Sequence, residues 1–278
     1  GRWKGKRVAN TFAPPLGSSP MYRLIWASLK SRILHTHFPV AMTFAVTYNC
    51  QCDCIHCSAG RHKHENVKEL STSEAKKVID DSLNLGISIL AFTGGEPLLR
   101  KDIYDLISYV NQRKAVSLLF TNGELLTKKI VKKLANAGLY SLFVSIDSPN
   151  SSEHDRLRRR KGLFEKAIQG IKNAKKEGLF VGISTYATRS GTNQKAYKKI
   201  YYLARDLGVH NVMLFDGVAT GNMLHDTSEL LTSEQREEIR RFSSLMFKYS
   251  VIPPLSSQSW QNSIEGYLGG IGCLAANI

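Results

Sequence analysis

What this chain of 278 residues lacks narrows its class first. No apolar run approaches the 18 or more residues that a membrane-spanning helix needs. The opening Gly1-Arg2-Trp3-Lys4 is not followed by an apolar stretch with a cleavage site, so no secretory signal is read there. A cytoplasmic protein, trimmed at its ends, is the simplest expectation. Acidic residues are scarce, 23 against 38 Lys and Arg, for a net charge of +15. That balance suits anionic partners (nucleic acid, a membrane surface or an acidic substrate) or a plainly solvated surface, without choosing among them. No dedicated nucleic-acid module is visible, nor any low-complexity segment. Cysteine is scarce too, five in all, and is not spread to staple distant segments. Four of the five, Cys50, Cys52, Cys54 and Cys57, fall within eight residues, and such clustering points to metal or redox chemistry.

Apolar residues make up 42% of the chain, enough for a sizeable core. Short runs rich in β-branched and aromatic residues recur at 42–47, 88–93, 116–121, 141–146, 181–186 and 211–215 and read as strands. Helix signals lie between them. Ser71 and Glu74 fit a capping box, 102–113 carries a helical pattern, Thr127 is a plausible N-cap with Gly138 as the stop, and 164–176 and 194–207 end at glycines. Strand–helix alternation of this length predicts parallel pairing through right-handed crossovers, as a doubly wound sheet or an incomplete barrel. In either, chemistry belongs at the C-terminal ends of the strands. Before this series, 21–35 reads as a basic amphipathic helix with Met21, Ile25, Leu29 and Ile33 on one side. Its plainest role is packing against the barrel; lying on an anionic membrane is the alternative. After residue 216, Thr232 and Gln235 open a further helix, followed by Pro253-Pro254 and a Ser- and Gly-rich tail.

The unusual residues fall where the fold rule wants them. Cys50, Cys54 and Cys57 read C-x3-C-x2-C directly after the first strand. Three thiolates on one tight loop can bind three irons of a [4Fe–4S] cube and leave the fourth open. A zinc site using four of Cys50, Cys52, Cys54, Cys57, His56, His62 and His64 is the alternative. Gly94-Gly95-Glu96-Pro97 closes the second strand, where bare glycines let the backbone approach a ligand closely. Thr121-Asn122-Gly123 closes the third. Ser145 and Asp147 close the fourth, two apart and so on one face. Ser184, Tyr186 and Thr188 alternate on the fifth, and the sixth runs from Asn211 to Asp216.

The stretch from Val46 to Gly60 resembles the cluster loop of the radical S-adenosylmethionine (radical SAM) superfamily, with His56 in its usually aromatic slot and Cys52 extra, read as a bystander. The resemblance covers 42–216 and implies an incomplete parallel (β/α)6 TIM-like barrel at 41–218. A helical extension at 1–40 and a helical or irregular tail at 219–278 flank it. It also implies a [4Fe–4S] cluster on Cys50, Cys54 and Cys57 with S-adenosylmethionine bound at the open iron. Gly94, Gly95 and Glu96 would hold the methionine amino group, and Thr121 and Asn122 would line the cavity. Ser145 and Asp147 would lie near ribose and methionine, Arg158 of the His154-Asp155-Arg156-Leu157-Arg158 run would meet the methionine carboxylate, and 211–216 would neighbour the adenine. The implied reaction is reductive cleavage of S-adenosylmethionine and hydrogen abstraction from a substrate, with flavodoxin or ferredoxin as electron donor. The segment around Cys273 resembles the start of a SPASM or twitch extension, which carries auxiliary clusters. The chain ends five residues later, so a truncated form is expected. Peptide or cofactor maturation is the first substrate class, lipid modification at a membrane the second, and a non-catalytic metal scaffold the reading outside enzymes.

Overall fold

The computed structural model describes residues 2–8, 13–36, 38–60, 68–248 and 255–257. A short antiparallel hairpin, β1 (Arg2–Trp3) and β2 (Lys6–Arg7), precedes helix α1 (Ser19–Leu34). Then come β3 (Ala41–Thr47), α2 (Thr72–Leu85), β4 (Ile89–Gly94), α3 (Ile103–Tyr109), β5 (Val116–Thr121), α4 (Lys128–Asn136), β6 (Ser141–Ser145), α5 (Ser151–Arg158), α6 (Leu163–Lys176), β7 (Phe180–Ala187), α7 (Arg189–Asn193), α8 (Ala196–Asp206), β8 (Asn211–Asp216), α9 (Ser233–Lys248) and β9 (Leu255–Ser257). Strands β3 to β9 pair in sequence order, each parallel to the next. The six strands read from the sequence are present within two residues at each end. The seventh, β9, was read as irregular tail, because three residues between Pro-Pro and a Ser-rich stretch carry no periodicity.

Local chemistry explains the elements. Ser71 accepts from Glu74 N while Glu74 caps Ser71 N, so α2 starts on a complete capping box. Thr127 caps α4, and Thr232 and Gln235 bond reciprocally ahead of α9. The helix read at 194–207 is α8, and Thr188 caps a separate short α7 that precedes it.

The sheet is curled. Phe120 of β5 stacks on Phe143 of β6 at 4.9 Å and meets Phe215 of β8 edge-on at 6.3 Å. Strands three places apart touch in this way only if the sheet wraps around an interior, as in the partial barrel expected. Ile89, Ala91, Val116, Leu118, Tyr140, Phe143, Phe180 and Met213 fill that interior, and a larger layer packs between sheet and helices. Val8, from the segment after β2, joins the interior cluster. Ala13 O accepts from Tyr140 Oη at 2.8 Å, immediately before β6, and Arg23 Nη2 of α1 donates to Leu83 O at the end of α2. The N-terminal residues therefore close the barrel at the N-terminal ends of its strands. No helix among the described residues is long and apolar enough to cross a membrane.

Candidate active site

At the opposite, C-terminal end, the loop after β3 carries the cysteines. Cys52 and Cys54 are buried, pack with Leu163 at the start of α6, and are flanked by the half-buried Cys50 and Cys57. The loop is held from three sides. Asp53 N and Ile55 N donate to Arg158 O and Leu157 O at the end of α5. Asn222, after β8, donates its Nδ2 to Cys54 O at 2.8 Å and its N to Cys57 O at 3.0 Å. Gly95 N and Glu96 N donate to Thr47 O and Asn49 O, both at 2.7 Å. The bare glycines do serve close approach, but their partner is the cysteine loop itself. A Cβ on Gly94 would lie 2.0 Å from Thr47 O, and one on Gly95 2.3 Å from Asn49 O.

Beside this loop lies a buried carboxylate, Glu96. Its Oε1 accepts from Thr121 Oγ1 at 2.7 Å and Leu98 N at 3.2 Å, and its Oε2 from Asn122 N at 2.8 Å. Burial pushes it up to about 7 against the pull of those donors. A carboxylate has roughly four acceptor positions, so one remains. Asn122 links this group to the cysteines, with Nδ2 at 4.0 Å from Cys50 Sγ and Oδ1 accepting from Gln51 Nε2 at 3.4 Å.

Asp147 is the second buried carboxylate. Arg158 Nε donates to its Oδ2 at 2.6 Å, His56 Nε2 stands 3.3 Å from the same oxygen, and Tyr186 N donates to Oδ1 at 3.1 Å. Burial alone would raise its pKa, but Arg158 and His56 outweigh it and hold the carboxyl well below the usual range. The His56 ring stacks on Tyr186 of β7, centroids 4.4 Å apart. Ser145 Oγ meets Ser184 Oγ at 3.2 Å on the neighbouring strand. The structure thus gathers Cys50, Cys54, Cys57, His56, Gly94, Gly95, Glu96, Thr121, Asn122, Ser145, Asp147 and Arg158 at one end of the sheet. Asp216 ends β8 on the same side and pairs with Arg236 Nε at 3.2 Å. Cys273, His62 and His64 lie outside the described residues. Asn222 was missed by the sequence reading, because a lone Asn beyond the last strand carries no pattern.

The thiols differ electrostatically. Hydrogen bonding from Cys52 pulls Cys54 down to about 6, with Arg158 and His56 assisting against burial. The same bonds to Cys50 and Cys54, together with burial, push Cys52 far up. Among the described residues, no three of His, Cys, Asp and Glu converge as a single-ion site. Three thiols on one short loop still fit a cube, whose irons are separate ligand positions. Two buried atoms at the site, Gln51 Oε1 and His56 Nδ1, have no protein partner among the described residues, so the site retains unused polar capacity.

Glu96 and a third buried group give a pH prediction for the metal-free chain. Burial lowers His154 from 6.5 to about 4. The raised Glu96 contributes stability that is lost as pH climbs from 4.5 to about 7, on the order of 3 kcal/mol. His154 contributes with the opposite sign, stability present above 6.5 and lost as pH falls towards 4. The two offset each other, so urea midpoints of the wild type are expected to change little across this window. Glu96→Gln leaves His154 alone, and its midpoint should rise with pH. A flat profile in the variant would contradict the assignment.

Comparison with known proteins agrees with this geometry. The chain is 33% identical over 219 residues to the AdoMet-dependent heme synthase of Oleidesulfovibrio alaskensis, covering 76% of this chain and 56% of that protein. It is 35% identical to the enzyme of the same name from Methanosarcina barkeri, covering 79% and 62%. The chain thus spans little more than half the length of these relatives. Its fold matches the crystal structure of Streptococcus suis SuiB bound to precursor peptide SuiA, with a TM-score of 0.68 at 14% identity, over 83% of this chain and 51% of that one. Residues 44–201, more than half of the chain and including every cysteine of the loop after β3, match the radical SAM family model, and the chain belongs to the radical SAM superfamily.

Proposed function

We propose that this chain carries the catalytic core of an enzyme that reductively cleaves S-adenosylmethionine and uses the resulting radical in maturing a cofactor precursor. Residues 41–218 form the core, with 1–40 and 219–278 as extensions. The family uses a [4Fe–4S] cluster and S-adenosylmethionine. When bound, the cluster would supply the electron for reductive cleavage of S-adenosylmethionine. Cys50, Cys54 and Cys57 would hold three irons. The observation that carries the reading is the gathering of these thiols against Glu96 and the Asp147–Arg158 pair, at the end of a parallel barrel where ligands bind.

The chain's own residues orient and shield. Asn222, Gly95, Glu96 and the end of α5 fix the loop's backbone, so the thiols are preorganised. Glu96 keeps one acceptor position for an ammonium group. Arg158 suits a carboxylate, though its Nε is now engaged by Asp147. His56 supplies a stacked ring and one open nitrogen beside the cysteines. Cofactor maturation leads because the two sequence relatives named above are heme synthases; a small electron-transfer protein such as flavodoxin or ferredoxin would supply the electron. The lipid-tail reading rested on α1, which sits at the other end of the barrel.

The test is anaerobic reconstitution with iron and sulfide, dithionite reduction with S-adenosylmethionine, and chromatography of 5′-deoxyadenosine. Product and about four irons per chain are expected, both lost in the Cys50→Ala, Cys54→Ala, Cys57→Ala triple variant and retained in Cys52→Ala. One tightly held zinc per chain, with no iron taken up, would refute the reading.

A further inference from the structure

Helix α1 is inside out. A surface helix ordinarily turns its apolar stripe to the core. Here the inward face is Leu24, Ala27, Ser28 and Ser31, half-buried and mostly small, with Ser28 Oγ donating to Leu24 O and Ser31 Oγ accepting from Phe38 N. The outward face carries the large apolar residues. Tyr22 is 63% exposed, Trp26 57%, Ile33 71%, and Ile25 and Leu29 are exposed beside them. Their spacing, i, i+3, i+4, i+7 and i+11, makes one stripe three turns long. The expected packing of this face on the barrel is therefore not found, and Pro20 is the buried residue of α1.

Charge borders the stripe. At 100° per residue, Lys30 falls on one side and Arg32 on the other, while Arg23, next to Lys30 on the wheel, turns its guanidinium inward to Leu83 O. The 16 residues of α1 contain no Asp or Glu. Lys30 Nζ lies over the Trp26 ring at 5.4 Å, so its stem follows the apolar face while its charge stays at the edge. We infer that α1 lies on an anionic lipid surface, with Tyr22, Ile25, Trp26, Leu29 and Ile33 entering the headgroup–acyl boundary and Lys30 and Arg32 meeting lipid phosphates. Charge argues against a second copy and against residues 249–254 and 258–278. A second copy would set these cations against their equals. The chain outside the described C-terminal residues, 249–254 and 258–278, brings one carboxylate, Glu265, and no basic residue. A surface dense in phosphate matches the border, and the chain's net charge of +15 adds long-range attraction.

This placement orients the enzyme. The helix stands at the N-terminal ends of the strands and the cysteine loop at their C-terminal ends, apart by the roughly 20 Å that six residues of strand span. A bilayer under α1 leaves the site facing the aqueous side, open to a water-borne substrate and electron donor rather than a lipid tail. The inference stands whether or not the proposed reaction does, since lipid binding needs neither cluster nor substrate.

Flotation of the full chain with two vesicle types tests it: phosphatidylcholine alone and phosphatidylcholine with phosphatidylglycerol. Binding is expected to the anionic vesicles, weakened by salt. Trp26→Glu with Ile33→Glu should lower it roughly tenfold or more. Tyr202→Glu, at a large apolar side chain 47% exposed on α8, should leave it unchanged. Both α1 positions are solvent-facing, so the fold should survive, and circular dichroism checks this. Failure to float with anionic vesicles, or equal binding by the double variant, would overturn the inference. So would a shift from dimer to monomer on sizing of that variant, which would assign the stripe to a second copy.

Discussion

Alanine at Gly94 is expected to destabilise the chain by about 3 to 5 kcal/mol, against about 1 to 2 for alanine at Gly86. The two glycines share a positive φ, +133° at Gly94 and +108° at Gly86, so both substitutions carry the steric penalty of an L-residue there. They differ in their surroundings. A Cβ at Gly86 meets nothing closer than Pro39 O at 3.9 Å, whereas one at Gly94 would sit 2.0 Å from Thr47 O, a backbone atom in the ladder between β3 and β4. A backbone neighbour cannot swing aside like a side chain. β3 must shift, and with it the hydrogen bonds from Gly95 N and Glu96 N that position the cysteine loop. Urea unfolding of the metal-free chain gives both midpoints. Equal losses at the two positions would show that strain in φ, and not the close approach of the loop, makes glycine necessary at Gly94. The same shift predicts poorer iron uptake by Gly94→Ala than by Gly86→Ala.

This contrast shows what a sequence can disclose. Gly-Gly beside a carboxylate at a strand end announces a close approach, but not its partner, because Thr47 and Asn49 are some forty-five residues away and no local pattern ties them to Gly94. The six strands were legible because buried parallel strands are short apolar runs between helical periods, and each functional motif followed one of them. Helix α5 was legible in principle and missed. Asn150 accepts from Glu153 N as a cap, yet Leu157 is the one apolar residue of α5, which is too few to show a helical period. The hairpin β1–β2 and the plugging of the barrel by Val8 were illegible, since two-residue strands have no period and one valine no address. For α1, Ile25, Leu29 and Ile33 do share one face while Met21 is half-buried, and the direction of that face was not legible, because a pattern of spacing gives a stripe without saying which side the core lies on.

The site divides in the same way. Residue types and strand ends were written in the chain, while the bonds among them depend on tertiary register. Asp147 and Arg158, eleven residues apart, come together because α5 turns back over the end of β6. His56 reaches the same carboxylate from the cysteine loop, and its ring finds Tyr186 on β7. A single carboxylate thereby ties the cysteine loop, α5 and β7 into one polar knot, and this concentration sets the second large effect.

Asp147→Asn is expected to cost about 3 to 5 kcal/mol at neutral pH, because it keeps the shape of the side chain but strips the guanidinium of Arg158 of its hydrogen-bonded counter-charge in a site sheltered from water. The side chains of Asp147 and Arg158 are 1% and 12% exposed, so solvent does little to screen the loss. Removing both charges should hurt less than removing one. Asp147→Asn combined with Arg158→Met is expected to be more stable than Asp147→Asn alone, giving a coupling energy of about 1 to 3 kcal/mol in the double-mutant cycle. The pH dependence follows from the depressed carboxyl. Its contribution is present above the unfolded value of 3.8 and fades as pH falls below it. The gap between wild type and Asp147→Asn should therefore be widest near neutrality and narrow in acid, measured as urea midpoints at each pH. A constant gap would mean that the loss is one of shape and hydrogen bonding to Tyr186 N, with charge playing no part. Additive losses in the cycle would mean that Arg158 is anchored elsewhere, free to meet a ligand's carboxylate without first releasing Asp147. Strong coupling means the reverse: a carboxylate ligand at Arg158 must compete with Asp147 for the guanidinium, and Asp147→Asn, though less stable, should expose that cation to it.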